Sequence, residues 1–342
     1  GPLAGSHGGE IVFEGDLASM KRAETATAGL LREKLTLNSK PLPWHEGYRI
    51  EHAKLHNLKD VSVTVPKGVL TAVTGVAGSG KSSLICHAFT SAYPEAVTVD
   101  QKPIGTSSRS TCATYLGVMD EIRKLFAKAN GVSAQWFSAN SKGACPACKG
   151  KGEIVPEIAF ADPVTIVCEE CGGRRFNPTA LSYRFQGLNI EEVMTLTVDR
   201  ALRFFSEEKI LSPLRTLQEV GLGYMTLGQP TSTLSGGETQ RLKLASELKK
   251  SGNLYILDEP ATGLHGRDVQ TLLVLLCRLV AQGNTVVVVE HRMELIAAAD
   301  WIIDMGPGGG EHGGEVIFTG TPQKLARCEA SLTGQYLRTM IE

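Results

Sequence analysis

The stretch GVAGSGKSS at residues 75–83 decides the fold. It has the G-x4-G-K-S spacing of a phosphate-binding loop and follows an apolar run, VLTAV at 69–73, that predicts a strand. In such a loop the glycines let backbone N–H groups wrap phosphates, Lys81 reaches the β and γ oxygens, and the Ser82 hydroxyl can coordinate Mg²⁺. The predicted binding residues are Gly75, Gly78, Gly80, Lys81, Ser82 and Ser83. A helix should begin at about Lys81.

Two further apolar runs, LYIL at 254–257 and TVVVV at 285–289, predict strands, and the segment 268–283 between them predicts a helix. Strands that alternate with helices indicate an α/β fold with a parallel sheet covered on both faces. Asp258, at the end of the first run, is predicted to hold Mg²⁺, and Glu259 to orient or deprotonate the attacking water. His291, after the second run, is predicted to sense the γ-phosphate. Together with the LSGGE sequence at 234–238, this order predicts an ATP-binding cassette.

Four cysteines lie between the phosphate loop and LSGGE, with the spacing C-x2-C, nineteen residues, C-x2-C. The spacing is typical of a structural Zn²⁺ site with four thiolate ligands, predicted to be Cys145, Cys148, Cys168 and Cys171. Nearby glycines permit tight turns in which backbone N–H groups bond to thiolate sulfur. A thioredoxin-like redox site is the weaker interpretation, because the βαβ context is missing and one pair would suffice.

Composition narrows the class of protein. The 342 residues, 42% hydrophobic with 37 glycines and 15 prolines, are typical of a globular α/β chain of about two domains. The apolar run at 271–281 is shorter than a membrane span and carries Arg278, so it predicts a buried helix and no membrane partner. The paired cysteines and the lack of a visible secretory signal favour a reducing, cytoplasmic location.

The distribution of charge is a weaker indicator of the binding partner than the motifs are. The formal net charge is −1, but residues 101–175 contain ten Lys and Arg against seven acidic residues. A local basic excess is compatible with nucleic acid and equally with an ordinary solvated face. Candidate DNA contacts are the basic residues on or beside the cysteine pairs: Lys142, Lys149, Lys151, Arg174 and Arg175. Phe137 and Phe176 flank them, and we expect such aromatic side chains to pack under a zinc module more often than to stack on bases.

The first fifteen residues return at 306–320 with nine identities, and the same offset of 305 also pairs Arg22 with Arg327, Glu24 with Glu329 and Gly29 with Gly334. Five of the nine identities are Gly, but low complexity does not explain the later matches. We therefore predict that the first part of the chain is the tail of a preceding cassette, which would make this the second half of a tandem ATPase. The proline-containing segment 35–47 is predicted to be a linker.

Several longer motifs occur in a family-specific order over nearly the whole chain. They are TAVTGVAGSGKSSL, DQKPIGTSSRSTCATY, CPACKGKG, GLGYMTLGQPTSTLSGGETQRLKLASEL, LYILDEPATGLH, GNTVVVVEH and ADWIIDMGPGGGEHGGEV. The chain thereby resembles the C-terminal cassette of the UvrA family, the damage-sensing subunit of the bacterial excinuclease. The resemblance implies that Gln101 is the Q-loop glutamine and His291 the switch histidine. Ser235, Gly236 and Gly237 would be the signature that completes the ATP site of an opposing cassette.

The resemblance also implies a domain plan and a set of partners. Residues 1–45 would be the tail and linker, 46–110 with 212–342 the ATPase lobe, and 111–211 an inserted signature and zinc region. The implied cofactors are ATP, Mg²⁺ and Zn²⁺. The implied partners are damaged double-stranded DNA, another cassette (an upstream half or a second copy) and UvrB. ATP binding and hydrolysis would alter the grip on distorted duplex in nucleotide excision repair, with recognition through backbone and deformability.

Three alternatives remain open at this point. The run GTSSRSTCATY at 105–115 departs from the family pattern, as do FSAN at 137–140 and FADPVTIVC at 160–168, which would suit a divergent UvrA-like protein linked to drug tolerance. A transporter ATPase subunit is a hypothesis of another class, and it predicts no zinc module. A regulatory clamp that never hydrolyses ATP is disfavoured by Glu259 and His291.

Overall fold

The computed structural model describes residues 9–32, 34–100, 102, 104, 109–154, 165–247 and 253–341. The chain forms two compact units, which we call the P-loop unit (1–102 with 247–342) and the cysteine unit (103–246). The domain boundaries implied by the resemblance, at 110/111 and 211/212, stay a prediction. The compact units divide at 102/103 and 246/247, so the LSGGE sequence belongs to the cysteine unit.

The strands, in chain order, are β1 (Gly47–Ala53), β2 (Val61–Pro66), β3 (Leu70–Gly75), β4 (Val97–Val99), β5 (Glu153–Ile154), β6 (Ile166–Val167), β7 (Leu254–Asp258), β8 (Thr285–Val289), β9 (Trp301–Gly306) and β10 (Glu315–Gly320). The α-helices are α1 (Leu17–Arg22), α2 (Ala26–Arg32), α3 (Thr90–Ala92), α4 (Cys112–Tyr115), α5 (Val118–Asn130), α6 (Pro178–Ser182), α7 (Ile190–Met194), α8 (Val198–Phe204), α9 (Glu208–Glu219), α10 (Gly236–Glu247), α11 (Gly266–Ala281), α12 (Met293–Ala298), α13 (Pro322–Leu325) and α14 (Leu332–Ile341). A π-helical segment, Ser83–Phe89, precedes α3. None of the helices within these described ranges combines the length and apolarity needed to cross a bilayer.

A six-stranded sheet organises the P-loop unit, in the order β10-β9-β3-β8-β7-β4. The neighbours from β9 to β4 are parallel, and β10 is an antiparallel edge strand. The predicted strands at β3, β7 and β8 are confirmed, and helical backbone begins at Lys81, as predicted. Because β3, β7 and β8 are parallel neighbours, their carboxyl ends lie at one edge of the sheet, where the predicted ATP-site residues follow.

The sheet is the core of this unit. Every residue of β3 and β8 is buried, as expected for parallel strands covered on both faces. Helix α11 packs against β8 and β3, so segment 271–281 is part of a helix, as predicted. The helix is buried on one face only, because Val274 and Cys277 are exposed. A separate antiparallel pair, β1 and β2, packs its apolar residues into the same cluster as Phe89 and Ile256.

The repeat found in the sequence is also a repeat of local structure. Helices α1 and α13 begin at residues related by the offset of 305, after the N-cap residues Asp16 and Thr321. Helices α2 and α14 follow at nearly the same offset. The assignment of the first segment to a preceding cassette stays a prediction.

Residues 34–46 form neither helix nor strand, as expected for a linker, but they are tied to the P-loop unit. One of these ties is Asp300, which is 8% exposed. Its Oδ1 accepts hydrogen bonds from Leu42 N at 2.9 Å and Asn38 Nδ2 at 3.0 Å, and its Oδ2 accepts from Leu70 N at 2.9 Å. One carboxylate therefore joins the linker to the first residue of the strand that leads to the phosphate loop.

The cysteine unit consists of short helices α4 to α10 and the hairpin β5–β6. Its aromatic core includes Phe126 and Phe137, whose ring centroids lie 5.0 Å apart, and Phe137 is fully buried. Phe176 is 5% exposed. The expectation that the aromatics beside the cysteines pack inside the unit is confirmed.

Replacement of Asp300 by Ala tests the carboxylate tie. The change leaves the Leu70 N–H without its partner, so we expect the free energy of unfolding to fall by about 1–3 kcal/mol. Urea titration of the full chain measures it. The matched control is Glu95→Ala at an exposed position, expected to change stability by no more than ~0.5 kcal/mol. Equal stability of the two variants would contradict a stabilising role for Asp300.

Candidate nucleotide and metal sites

The phosphate loop connects β3 to the helical segment that starts at Lys81. Its geometry requires glycine at Gly75, where φ is +132° and a Cβ atom would lie 2.0 Å from the carbonyl oxygen of Met305. Lys81 is 6% exposed, and its ammonium group donates to the carbonyls of Gly75 at 3.1 Å and Val76 at 2.9 Å. The loop thus holds one buried cation beside glycine backbone, which suits a phosphate chain.

A second glycine-rich segment, 306–314, supports the phosphate loop. Gly310 N donates to Gly78 O at 3.0 Å, and Gly314 N donates to Ser79 O at 3.0 Å. Asn57 joins the two loops, because its Nδ2 lies 2.9 Å from Gly78 O and 3.2 Å from Gly310 O. In the sequence, residues 306–320 stand out as a repeat and as part of a family motif, and neither feature predicts this contact. The supporting role of this segment depends on β9 lying beside β3, a pairing that no local pattern reveals.

Acidic groups face the loop from the ends of β7 and β9. Burial raises the pKa of Asp258, and the neighbouring carboxylate of Glu259 adds to this. Burial also raises the pKa of Asp304, which accepts hydrogen bonds from Ser331 Oγ and from Thr333 Oγ1, the latter at 3.1 Å. Burial lowers the pKa of Lys81, while Glu259, Asp304 and Asp258 oppose that shift. The site therefore combines one ammonium with three carboxylates in a partly dehydrated setting.

Glu259 has an unusual backbone, with φ of +47° for a residue that is not glycine. Its N–H donates to Val289 O at 2.9 Å, which fixes the turn after β7 to the end of β8. Thr262 Oγ1 donates to its Oε2 at 3.2 Å, and His291 Nε2 lies 3.4 Å from its Oε1. Positive φ at such a residue indicates a conformation that its surroundings impose. The structure thus brings Glu259 and His291 together, each close to half exposed.

Glu290, which sequence reasoning did not single out, positions this pair. The residue is 2% exposed, and burial raises its pKa against the lowering effect of three backbone N–H groups. Those donors are Ala261 N at 2.7 Å, His291 N at 2.8 Å and Arg292 N at 3.1 Å. In the sequence, the signal that could have identified Glu290 is an acidic residue directly after the apolar strand β8. Gln101, the predicted Q-loop glutamine, lies outside the described residues.

The signature residues occupy the start of α10 in the cysteine unit. Ser235 and Glu238 form a capping box, in which Glu238 N donates to Ser235 Oγ at 3.3 Å and Ser235 N donates to Glu238 Oε2 at 2.9 Å. Tyr224 donates its hydroxyl to the other oxygen of Glu238 at 2.5 Å. Burial acts to raise the pKa of Glu238, but these hydrogen bonds outweigh it and the pKa lies below its usual range. Ser235, Gly236 and Gly237 are therefore held in a fixed turn.

The four cysteines form a buried cluster in the same unit, and their sulfur atoms all lie within 4.8 Å of one another. The Cys145–Cys168 sulfur distance is 4.0 Å and the Cys148–Cys171 distance is 3.7 Å. Four thiolates around a tetrahedral Zn²⁺, with Zn–S bonds of about 2.3 Å, would lie about 3.8 Å apart. Gly152 N donates to Cys148 Sγ at 3.2 Å, the kind of bond predicted from the glycine spacing. The residues present fit a four-thiolate metal site.

The basic residues around this cluster differ in their surroundings. Lys142, Lys149 and Lys151 are exposed. Arg174 Nε donates to Cys171 O at 2.9 Å. Arg175 Nε donates to Gly150 O at 3.1 Å, and its Nη2 lies 3.4 Å from Arg109 O. The lysines thus face solvent, whereas the arginines also hold the backbone of the cysteine module.

Comparison with known proteins agrees with this geometry. A family model described as "ABC transporter" matches residues 58–262. The chain is 43% identical over its whole length to the UvrABC system protein A of Aquifex aeolicus (strain VF5) and 42% identical to that of Escherichia coli (strain K12). The crystal structure of UvrA2 from Deinococcus radiodurans superposes with a TM-score of 0.93 at 42% identity, covering all of this chain and 46% of that one.

The chain spans 41% and 40% of the length of those two curated relatives. The family model covers more than half of the chain, and the likeness to the UvrA proteins extends through both compact units. The chain therefore belongs to the ABC ATPase family, as a cassette of the UvrA type.

Proposed function

We propose that this chain is the second ATPase half of a UvrA-like protein that recognises damaged double-stranded DNA in nucleotide excision repair. The observation that carries the proposal is the combination, in one chain, of a phosphate loop whose buried Lys81 lies among carboxylates and a four-sulfur cluster inside the unit that bears LSGGE. The relatives favour this function over that of a transporter subunit. Its partners would be a second cassette and UvrB, and its location the cytoplasm, where the DNA substrate lies.

The ABC ATPase fold implies ATP and Mg²⁺, and the site offers a group for each task. The loop from Gly75 to Ser83 would hold the phosphates, with the Lys81 ammonium turning from the Gly75 and Val76 carbonyls toward the β and γ oxygens. Ser82 and Asp258 would hold Mg²⁺, whose charge neutralises the phosphate oxygens. Binding of this cation would offset the burial that raises the pKa of Asp258.

Glu259 is the proposed general base. Thr262 and His291 contact its two different oxygens, so the carboxylate has a defined direction before water is bound. Glu259 would orient the attacking water and accept its proton, and His291 would report the γ-phosphate through the same contact. Gln101 is proposed as the glutamine that completes the site. Ser235, Gly236 and Gly237 are proposed to serve the ATP site of an opposing cassette.

For the ATP site we expect Lys81→Ala to abolish ATP binding in calorimetry, because it removes the one buried ammonium in the loop. Glu259→Gln should retain binding while the hydrolysis rate falls by about 10²-fold or more, because the base is lost. The matched control is Glu95→Gln, which should leave both quantities unchanged.

The same measurements test the need for a second cassette. Specific ATPase activity should rise with protein concentration, and Glu259→Gln with ATP should sediment as a pair. Wild-type affinity in Lys81→Ala would contradict the assignment of the loop. A concentration-independent rate from a monomer would exclude the shared site.

We further propose that Cys145, Cys148, Cys168 and Cys171 bind one structural Zn²⁺. The sulfur distances match a closed tetrahedral site without an open position, so the metal would shape the module rather than take part in chemistry. The Gly152 N–H bond to Cys148 would persist as the outer support that such sites use.

For the metal we expect one zinc per chain by elemental analysis of protein purified without chelators. Cys145→Ser should lower the zinc content and destabilise the cysteine unit, because binding of a structural metal contributes directly to folding. Cys277→Ser, at an exposed thiol outside the cluster, should retain full zinc. Metal-free protein with both pairs oxidised to disulfides would overturn the proposal.

DNA would contact the exposed face of this module. We assign direct phosphate contact first to Lys142, Lys149 and Lys151, which are exposed, and a positioning role to Arg174 and Arg175, whose Nε atoms donate to backbone carbonyls. Contacts of this kind carry no sequence information, as damage recognition requires.

The double variant Lys149→Asn, Lys151→Gln should bind duplex with a bulky lesion more weakly, because each lost phosphate contact removes counterion release. Asparagine tolerates the positive φ of +50° at residue 149, so the backbone is preserved. In anisotropy titrations the slope of log K against log salt should become shallower by about 0.9 per lost contact. Lys209→Gln, exposed on α9, is the control. An unchanged slope in the double variant would move the DNA surface elsewhere.

A further inference from the structure

The cysteine unit contains a cavity of about 330 Å³ that the ATPase and zinc proposals do not use. Its apolar walls come from Met119, Met194, Phe176 and Pro230. The volume is at the lower end of the range of about 300–1,000 Å³ for small-molecule sites, which corresponds to a compact aromatic molecule. The cavity is therefore too small for a stretch of duplex but large enough for a compact organic ligand.

The charged groups on the wall are strongly unequal. Four arginines line the cavity, namely Arg109, Arg123, Arg174 and Arg175, against one acidic residue, Glu191. Arg123 donates to Asp120 at 2.9 Å through Nη1, but its Nε is buried and has no hydrogen-bond partner among the described residues. A guanidinium presents its N–H groups in a planar fork that matches carboxylate, phosphate or sulfonate. The wall thus supplies donors that an anion would satisfy.

Two of these arginines lie close together in the wall. Arg175 Nη2 donates to the backbone carbonyl oxygen of Arg109 at 3.4 Å. Burial lowers the pKa of Arg175, and the positive charge of Arg109 lowers it further. Like charges in a partly dehydrated pocket repel more strongly than in water, and an anion between them would convert repulsion into attraction.

The cavity wall is held by backbone hydrogen bonds. Gly228 N donates to Met194 O at 2.8 Å, and Cys112 N donates to Gln229 O at 3.1 Å. Thr231 N donates to Ser110 O at 2.9 Å, directly after the wall residue Pro230. A ligand would thus enter a site whose shape is already formed, which lowers the cost of binding.

We propose that this cavity binds a small organic anion with a flat apolar body, a class of ligand distinct from both ATP and DNA. The methionines and Phe176 would contact the flat body, because thioethers and aromatic rings pack well against π-systems. The arginines would bind the anionic group. The proposal goes beyond the DNA function and does not depend on it, because its key side chain, Arg123, is not among the residues proposed to contact or position DNA.

The test uses the full chain and 1-anilinonaphthalene-8-sulfonate, an aromatic sulfonate whose fluorescence rises in apolar surroundings. We expect saturable binding of one probe per chain. Arg123→Gln should weaken it by roughly tenfold, and Ala139→Leu, which fills the cavity, should do the same. Arg200→Gln, exposed on α8 and absent from the cavity wall, should bind as wild type.

Zinc content and circular dichroism show whether Arg123→Gln or Ala139→Leu has failed to fold. If one of them has, probe binding by the other variant tests the proposal. Unlabelled phenyl phosphate should compete with the probe, whereas duplex DNA should not. Undiminished probe binding in both cavity variants would overturn the proposal. Competition by duplex at the concentrations that saturate the lysine face would also overturn it, because the cavity would then belong to the DNA surface.

Discussion

The P-loop unit depends on one buried ammonium group placed among three carboxylates. Burial lowers the pKa of Lys81, and the charges of Glu259, Asp304 and Asp258 offset that effect only in part. Burial likewise raises the pKa of Asp258, so both groups are strained toward their neutral forms. The parallel sheet creates this arrangement, because it brings the ends of β3, β7 and β9 to one edge. A polyphosphate would offer Lys81 stronger hydrogen-bond acceptors than the Gly75 and Val76 carbonyls. A divalent cation would then compensate the negative charge that the polyphosphate adds beside Asp258. The site is thus electrostatically suited to a metal-bound polyphosphate.

Much of this architecture could be predicted from short segments. An apolar run before the phosphate loop, another before Asp258 and a third before His291 each specify a buried strand, since apolar β-branched residues without alternation favour parallel sheets. The cysteine spacing specified a cluster for a similar reason, since the two pairs of ligands each span a single tight turn. In these cases the determining interactions lie within a few residues of one another.

The supporting residues could not be predicted in this way. Glu290, Asp304 and Asn57 act on partners far away in sequence or through strand neighbours that are not consecutive. The role of 306–314 is the clearest example, since glycines there permit close approach to the phosphate loop, yet neither the repeat nor the family motif in the sequence indicates that contact. The division between units was likewise beyond local patterns, because 212–246 packs with the cysteine module rather than with the strand that follows it.

Asp300 has a mechanical consequence. Its two carboxylate oxygens hold Leu42 of the linker and Leu70 at the start of β3, and β3 ends at the glycine that opens the phosphate loop. Residue 38 is also anchored directly, because its backbone N–H donates to Ala297 O at 2.8 Å. The segment before β1 is thereby fastened at both ends of the loop that precedes β9, and the conformation of the linker is coupled to the register of β3.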